Sequence, residues 1–255
     1  MGLYRSEGIA TYTELIMGLP GETYESFAEG IEQMFEAGQH DGLNIYVCIV
    51  LPNSELGDPA YIAQHGIRSV TTPVLLQHSS PSEDPLVEHN DIIVETNSLP
   101  EDDFKRVFLY AWVVQACHCL GLTQYLALYA RYQFGISFKV FYERLLEFAE
   151  QNPQTLLGQE LQQVSSIVED AVRGGNWGLV VPRFGKIIWP TEEATFLNLV
   201  CGKDGFYAEI SQFLRALISW HGDSLEDDQL SGLLTYQKNM IIDPFTPPLL
   251  TVDLD

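Results

Sequence analysis

Basic residues are scarce. Thirteen Lys and Arg stand against 35 Asp and Glu in 255 residues, for a formal net charge of −22. That balance argues against electrostatic binding of nucleic acid or an anionic membrane, and no run of Lys or Arg exceeds two. Cysteine is sparse as well: Cys48, Cys117, Cys119 and Cys201 are the full set of four. So few thiols in so long a chain exclude a dense disulfide framework and suit a reducing, cytoplasmic compartment. Met1 to Glu7 carries no apolar run, so no secretory leader is expected there. Several catalytic signatures are missing too. The six histidines include no His-x3-His and no His-Glu-x2-His, which leaves zinc hydrolysis without support. There is no Gly-x-Ser-x-Gly elbow, no P-loop lysine and no Rossmann glycine spacing.

What is present is globular in character: 46% hydrophobic and 19% charged residues, enough for one large domain or two small ones. One segment is long enough to test that reading. From Val107 to Ala130, 19 of 24 residues are apolar, a length that would span a bilayer. Gln115, His118, Thr123 and Gln124 interrupt it, and Gly121 would split it into two packed helices. Polar groups are costly in lipid, so a buried helix pair is expected.

The opening reads as strand, turn, helix, strand. Thr13 to Met17 is β-prone, Gly18-Leu19-Pro20-Gly21 breaks it, and a helix follows from about Thr23 to Ala37. Phe27, Ile31, Met34 and Phe35 share one face of that helix. Asn44 to Leu51 is apolar almost throughout, as in a strand covered on both sides. Such a crossover predicts two parallel strands. Residues 58–100 are cut by five prolines into short pieces, with strands expected at Thr72 to Gln77 and Asp91 to Thr96. After Pro100 the pattern is helical: Glu101 to Tyr132 with a break at Gly121, then Phe138 to Gln151. Next comes a helix opened by Asn152-Pro153 and closed by Gly174-Gly175. A small hairpin is expected at residues 179–189, with Thr191 capping a short helix. Two further helices run from Phe206 to Trp220 and from Leu225 to Met240. Tyr110, Trp112, Tyr125, Tyr129 and Tyr132 lie at near-helical spacings and read as core.

The glycine turn at residues 18–21 leads straight into a helix. It is either a tight βα turn or an anion site made of backbone N–H groups and the helix dipole. Its surroundings carry a likeness. Thr13-Glu14-Leu15-Ile16-Met17-Gly18-Leu19-Pro20-Gly21-Glu22-Thr23 resembles the fifth strand and turn of radical S-adenosylmethionine (SAM) enzymes. Ile49-Val50-Leu51-Pro52-Asn53-Ser54-Glu55-Leu56 resembles the sixth strand and its exit loop. The segment from Trp189-Pro190-Thr191-Glu192-Glu193 to Tyr236-Gln237 is similar to the helical extension of members that carry a cobalamin-binding domain ahead of the barrel.

The resemblance implies an α/β fold, namely the C-terminal strands of a radical SAM partial TIM barrel followed by a mainly α-helical domain. The division is residues 1–100 and 101–255. It implies that Ile16, Gly18, Val50 and Leu51 lie beside SAM, with Ile16 against the adenine. Strand alternation puts Glu14, Ile16 and Gly18 on one face. Glu14 then points at substrate or is an exposed carboxylate at the strand entry. The implied cofactors are SAM, a [4Fe–4S] cluster and, by the closer likeness, cobalamin. The implied partners are the N-terminal barrel and the cobalamin domain.

The departure from the family is in the cysteines. The family's cluster loop is Cys-x3-Cys-x2-Cys, and no such spacing occurs here. On a helix, Cys117 and Cys119 point about 200° apart and cannot chelate together. Cys48 and Cys201 read as small buried apolar residues. No metal ligand is therefore expected, and the chain is expected to be a C-terminal part of a larger enzyme, silent alone. The alternative is an acidic helical protein-interaction module without enzymatic activity.

Overall fold

Two parallel strands begin the described fold: β1 (Thr13–Met17) and β2 (Leu43–Val47), joined by helix α1 (Tyr24–Glu36). The computed structural model describes residues 7–9, 11–40, 42–81, 86–241 and 244. Thr23 starts α1 with a reciprocal capping box to Ser26, which satisfies two otherwise unpaired donors. Phe27, Ile31 and Phe35 then bury one face of α1. The register pairs Glu14 with Asn44 and Ile16 with Tyr46. Glu14, Ile16, Asn44 and Tyr46 are therefore exposed on one side, while Met17 and Leu43 are buried on the other.

The single run from Asn44 to Leu51 divides at Cys48. Beyond it, β3 (Ile49–Val50) leaves the parallel pair and joins an antiparallel sheet of order β3-β5-β4, with β4 at Arg68–Pro73 and β5 at His89–Glu95. Cys48 serves both sheets. Its N–H donates to the Met17 carbonyl at 3.0 Å, and its carbonyl accepts from the Ile93 N–H at 2.9 Å. Helix α2 (Pro59–His65) lies between β3 and β4, capped by Asp58.

The rest is helical: α3 (Glu101–Val113), α4 (Gln124–Phe134), α5 (Phe138–Gln151), α6 (Leu156–Ala171), α7 (Thr191–Cys201), α8 (Lys203–His221) and α9 (Asp227–Met240). A hairpin of β6 (Leu179–Val180) and β7 (Ile188–Trp189) precedes α7. One apolar cluster joins Met17, Leu43, Phe27 and Phe35 to Phe104, Trp112, Phe141, Phe206 and Phe213.

Several boundaries depart from expectation. The helix predicted from Glu101 becomes π-helical over Val114–Cys119 before it breaks at residues 120–123. There the Thr123 N–H reaches back to the Cys117 carbonyl at 2.6 Å. Asn152-Pro153 does not cap α6. Thr155 does, accepting from the Gly158 N–H at 3.0 Å, and α6 stops at Ala171 before Gly174. Thr191 is the first residue of α7, with Pro190 as its cap. Cys201 is exposed, not buried. Of the five aromatics read as core, Tyr110 and Trp112 are buried, Tyr125 and Tyr129 are half-buried, and Tyr132 is 72% exposed. Among the described residues no single helix is long and apolar enough to cross a membrane. The pair α3–α4 would be so by length and composition, but it is bent by 93°.

Candidate functional site

The open face of the β1–β2 pair is the first feature. Ile16 is 48% exposed and Tyr46, its register partner, 47%. Glu14 and Asn44 flank them on the same side, both exposed. Among the described residues β1 pairs only with β2, and no described strand lies along its other edge. Leu15, on the reverse face, packs against the main core. The expected side-by-side placement of Glu14 and Ile16 thus holds in the backbone register.

Gly18 does not extend that face. It lies past the strand end, is buried, and has φ of 91°. A Cβ there would sit 3.4 Å from the Ile93 carbonyl and 3.5 Å from the Phe104 ring. The turn it begins is filled by the protein itself. The Gly21 N–H donates to Ser98 Oγ at 3.0 Å, and the Thr23 N–H donates to Ser26 Oγ at 2.9 Å. Burial pushes the Glu22 carboxyl above its ordinary range, and the Gly18 N–H that it accepts from acts in the opposite direction. A resident carboxyl at this turn argues against an incoming anion. Its Oε2 is buried and has no hydrogen-bond partner.

Val50 and Leu51 do not share a sheet with Ile16: they follow the Cys48 crossover. Val50 pairs with Asp91 and packs against the small cluster of Cys48, Ile67 and Ile93. Leu51 is 60% exposed just past β3.

The second feature is a cavity of about 240 Å³ between the small sheets, α3 and the start of α7. Tyr46 and Ile49, 47% and 39% exposed, line it together with Met17, Ile45 and Val47. Inside lie Phe108, Trp112, Trp177 and Trp189, with Gln115 and Glu192 as polar groups. Burial raises the Glu192 carboxyl above its usual range, and the neighbouring Glu193 adds to the shift. Gln115 Nε2 donates to Glu192 Oε1 at 3.4 Å, a long contact. Reading the sequence did not find this cavity. Its aromatic and acidic lining is dispersed from Tyr46 to Glu192, and only the cluster Trp189-Pro190-Thr191-Glu192 was a local signal.

The thiols do not form a ligand set. Cys117 is fully buried and Cys48 nearly so, and burial raises both thiols above the ordinary range. Cys119 is half-buried and Cys201 is exposed. Among the described residues no three His, Cys, Asp or Glu side chains group as a metal site. His118 is a core residue. Its Nδ1 meets Tyr142 Oη at 2.7 Å, its Nε2 meets His40 Nδ1 at 3.0 Å, and its ring stacks on Phe35 at 3.8 Å.

Comparison with known proteins adds the following. No family model matches the chain. The chain is 30% identical over 260 residues to the cobalamin-dependent radical SAM methyltransferase TokK of Streptomyces tokunonensis, an alignment covering 96% of the chain and 38% of that protein. It is 29% identical over 258 residues to the 2-(S-pantetheinyl)-carbapenam-3-carboxylate methyltransferase of Streptantibioticus cattleyicolor, covering 96% of the chain and 37% of that protein. The chain thus spans under two-fifths of the length of either relative.

Proposed function

We propose that the chain, similar over nearly its whole length to a cobalamin-dependent radical SAM methyltransferase and to a carbapenam-3-carboxylate methyltransferase, forms the SAM- and substrate-facing wall of a cobalamin-dependent radical SAM methyltransferase. The observation that carries this reading is the open face of Ile16 and Tyr46 beside the edge of β1 along which no described strand pairs. An apolar face next to such an edge suits a further parallel strand and a flat aromatic ligand. In this reading β1 and β2 are late strands of a partial barrel. Residues 1–100 belong to the barrel and its exit, and residues 101–255 form the helical domain behind it.

The residues present fit SAM in one respect. Ile16 offers an exposed branched side chain that would cover the adenine. Val50 and Leu51, which follow the Cys48 crossover into the other sheet, would border the same ring by their backbone, and Gly18 would hold the turn below it. Glu14 would face the substrate across the same side of β1. The bound SAM supplies the radical and methyl chemistry of the family. This chain binds, orients and shields. The residues do not fit a [4Fe–4S] cluster, because such a cluster needs converging thiolates and the described cysteines are separate. Cluster and cobalamin binding are therefore assigned to partner segments outside this wall, namely an N-terminal barrel half and a cobalamin domain.

The test is anaerobic methyl transfer. Assembled with cluster- and cobalamin-binding parts, the chain should support transfer from isotopically labelled SAM to an acceptor. The same parts without it should not. Equal transfer in both samples would overturn the assignment.

A further inference from the structure

We propose that the cavity behind Tyr46 binds an organic ammonium group, with Glu192 as its counter-charge and the tryptophans as its walls. No Lys or Arg among the described residues forms an ion pair with Glu192, and the nearest cationic influence on it is His78. The adjacent Glu193 does have a partner, His78 Nε2 at 2.7 Å. The polar contacts to Glu192 from other residues are weak ones. Gln115 donates at 3.4 Å and Thr191 Oγ1 at 3.3 Å, and beside these and its own backbone N–H the carboxyl keeps lone pairs for a further donor such as an ammonium N–H or the polarised C–H groups around a quaternary nitrogen.

The walls suit the same ligand. Aromatic rings attract a cation lying over their faces, more strongly where water is excluded. Trp112 is held in place from outside the cavity. Its indole N–H donates to Thr195 Oγ1 at 3.0 Å, and Thr195 in turn donates to Glu160 Oε2 at 2.9 Å. That hydrogen bond leaves Trp112 no polar donor for the cavity, only ring carbon. Trp177 packs its ring on Phe108 at 5.5 Å between centroids, so two further rings are fixed in the lining. The net charge of −22 favours cations entering a cleft and disfavours anions.

Size limits the occupant. A volume of about 240 Å³ falls below the roughly 300–1,000 Å³ that holds a whole drug-sized ligand. The cavity therefore takes one end of a molecule. Because Tyr46 lines the cavity and also stands on the open strand face, the remainder would lie toward that face. Naming the ammonium as the non-reacting end of the substrate rests on the function proposed above. The binding of the ammonium group does not.

The experiment compares choline with 3,3-dimethylbutan-1-ol, its uncharged isostere, by calorimetry and tryptophan fluorescence on the 255-residue chain at constant ionic strength. Choline should bind saturably and at least about tenfold more tightly than the alcohol. Glu192→Gln should weaken choline about tenfold and leave the alcohol unchanged. Equal affinity for the two probes, or no saturable binding of either up to about 100 mM, overturns the proposal. The comparison on the unaltered chain decides the matter even if the variant fails to fold. Neither probe requires SAM or a cluster, so failure here leaves the methyltransferase reading intact. Failure of methyl transfer likewise leaves this result standing.

Discussion

Replacing Leu15 and Ile16 in turn by alanine tests the strand register on which the site depends. The two residues are neighbours in β1 with opposite surroundings. Ile16 keeps 48% of its surface in water, so truncation forfeits at most about half of the ~1.5–3 kcal/mol that full burial supplies. Some strand propensity is lost as well, and the total should be about 1 kcal/mol. Leu15 packs against the main core. Its removal costs the transfer energy and leaves a partial void, so about 2 kcal/mol is expected. Ile31, fully buried in α1, provides the upper reference at about 2–5 kcal/mol. Urea unfolding followed by circular dichroism gives the three values from midpoint shifts at constant slope. The predicted order is Ile31 greater than Leu15 greater than Ile16. If Ile16→Ala costs more than Leu15→Ala, the two faces are exchanged, because a one-residue slip turns every side chain over.

Other outcomes follow from single features. After anaerobic reconstitution and desalting, the chain alone should retain no stoichiometric iron and no cluster absorbance near roughly 400 nm. Gly18→Ala should destabilise by ~1–2 kcal/mol, because φ of 91° disfavours an L side chain. Gly30→Ala, in α1 with open space at the Cβ position, should stabilise by about 0.5–1 kcal/mol. Burial and the adjacent His40 hold His118 well below the ordinary imidazole range. The unfolded chain, with a value near ~6.5, therefore binds the extra proton. The contribution of His118 is complete above about pH 6.5 and is lost as pH falls, at up to ~1.4 kcal/mol per pH unit. Its imidazole resonances should remain those of the neutral ring at pH values where an exposed imidazole is already protonated. Stability against pH in His118→Gln should have a correspondingly smaller slope below about pH 6.5.

Much of the helical part was legible because its signals are local. Phe138–Gln151 is a helix over the whole expected span, with Ser137 accepting from the Val140 N–H at 3.1 Å. The parallel β1–β2 pair followed from the strand-helix-strand order, which needs a crossover. The exchange of sheets at Cys48 was not legible. The residues from Ile45 to Leu51 are apolar on both sides of Cys48, so Asn44 to Leu51 reads as one strand covered on both faces, although Asn44, Tyr46, Ile49 and Leu51 are exposed. Pro153 misled for a similar reason. Proline suits a first helical turn, but here it stands in the turn before Thr155, whose hydroxyl makes the cap. The π-helical segment carries the same apolar pattern as an α-helix, and where it ends the Thr123 N–H returns to the Cys117 carbonyl. At the site, alternation correctly paired Glu14 with Ile16, then failed at Gly18 because the chain had already turned. The cavity was hidden because Tyr46, Trp177 and Glu192 meet only through the tertiary fold.

The most direct test of the proposed role is SAM titration of the assembled enzyme, comparing the parent with Ile16→Ala and Leu15→Ala after checks of folding and cluster content. If Ile16 covers the adenine, its loss should weaken SAM about tenfold, as a lost contact of about 1.4 kcal/mol requires. Leu15→Ala should lower stability and leave SAM affinity within about twofold. The account is contradicted if Leu15→Ala weakens SAM and Ile16→Ala does not, or if neither changes its affinity.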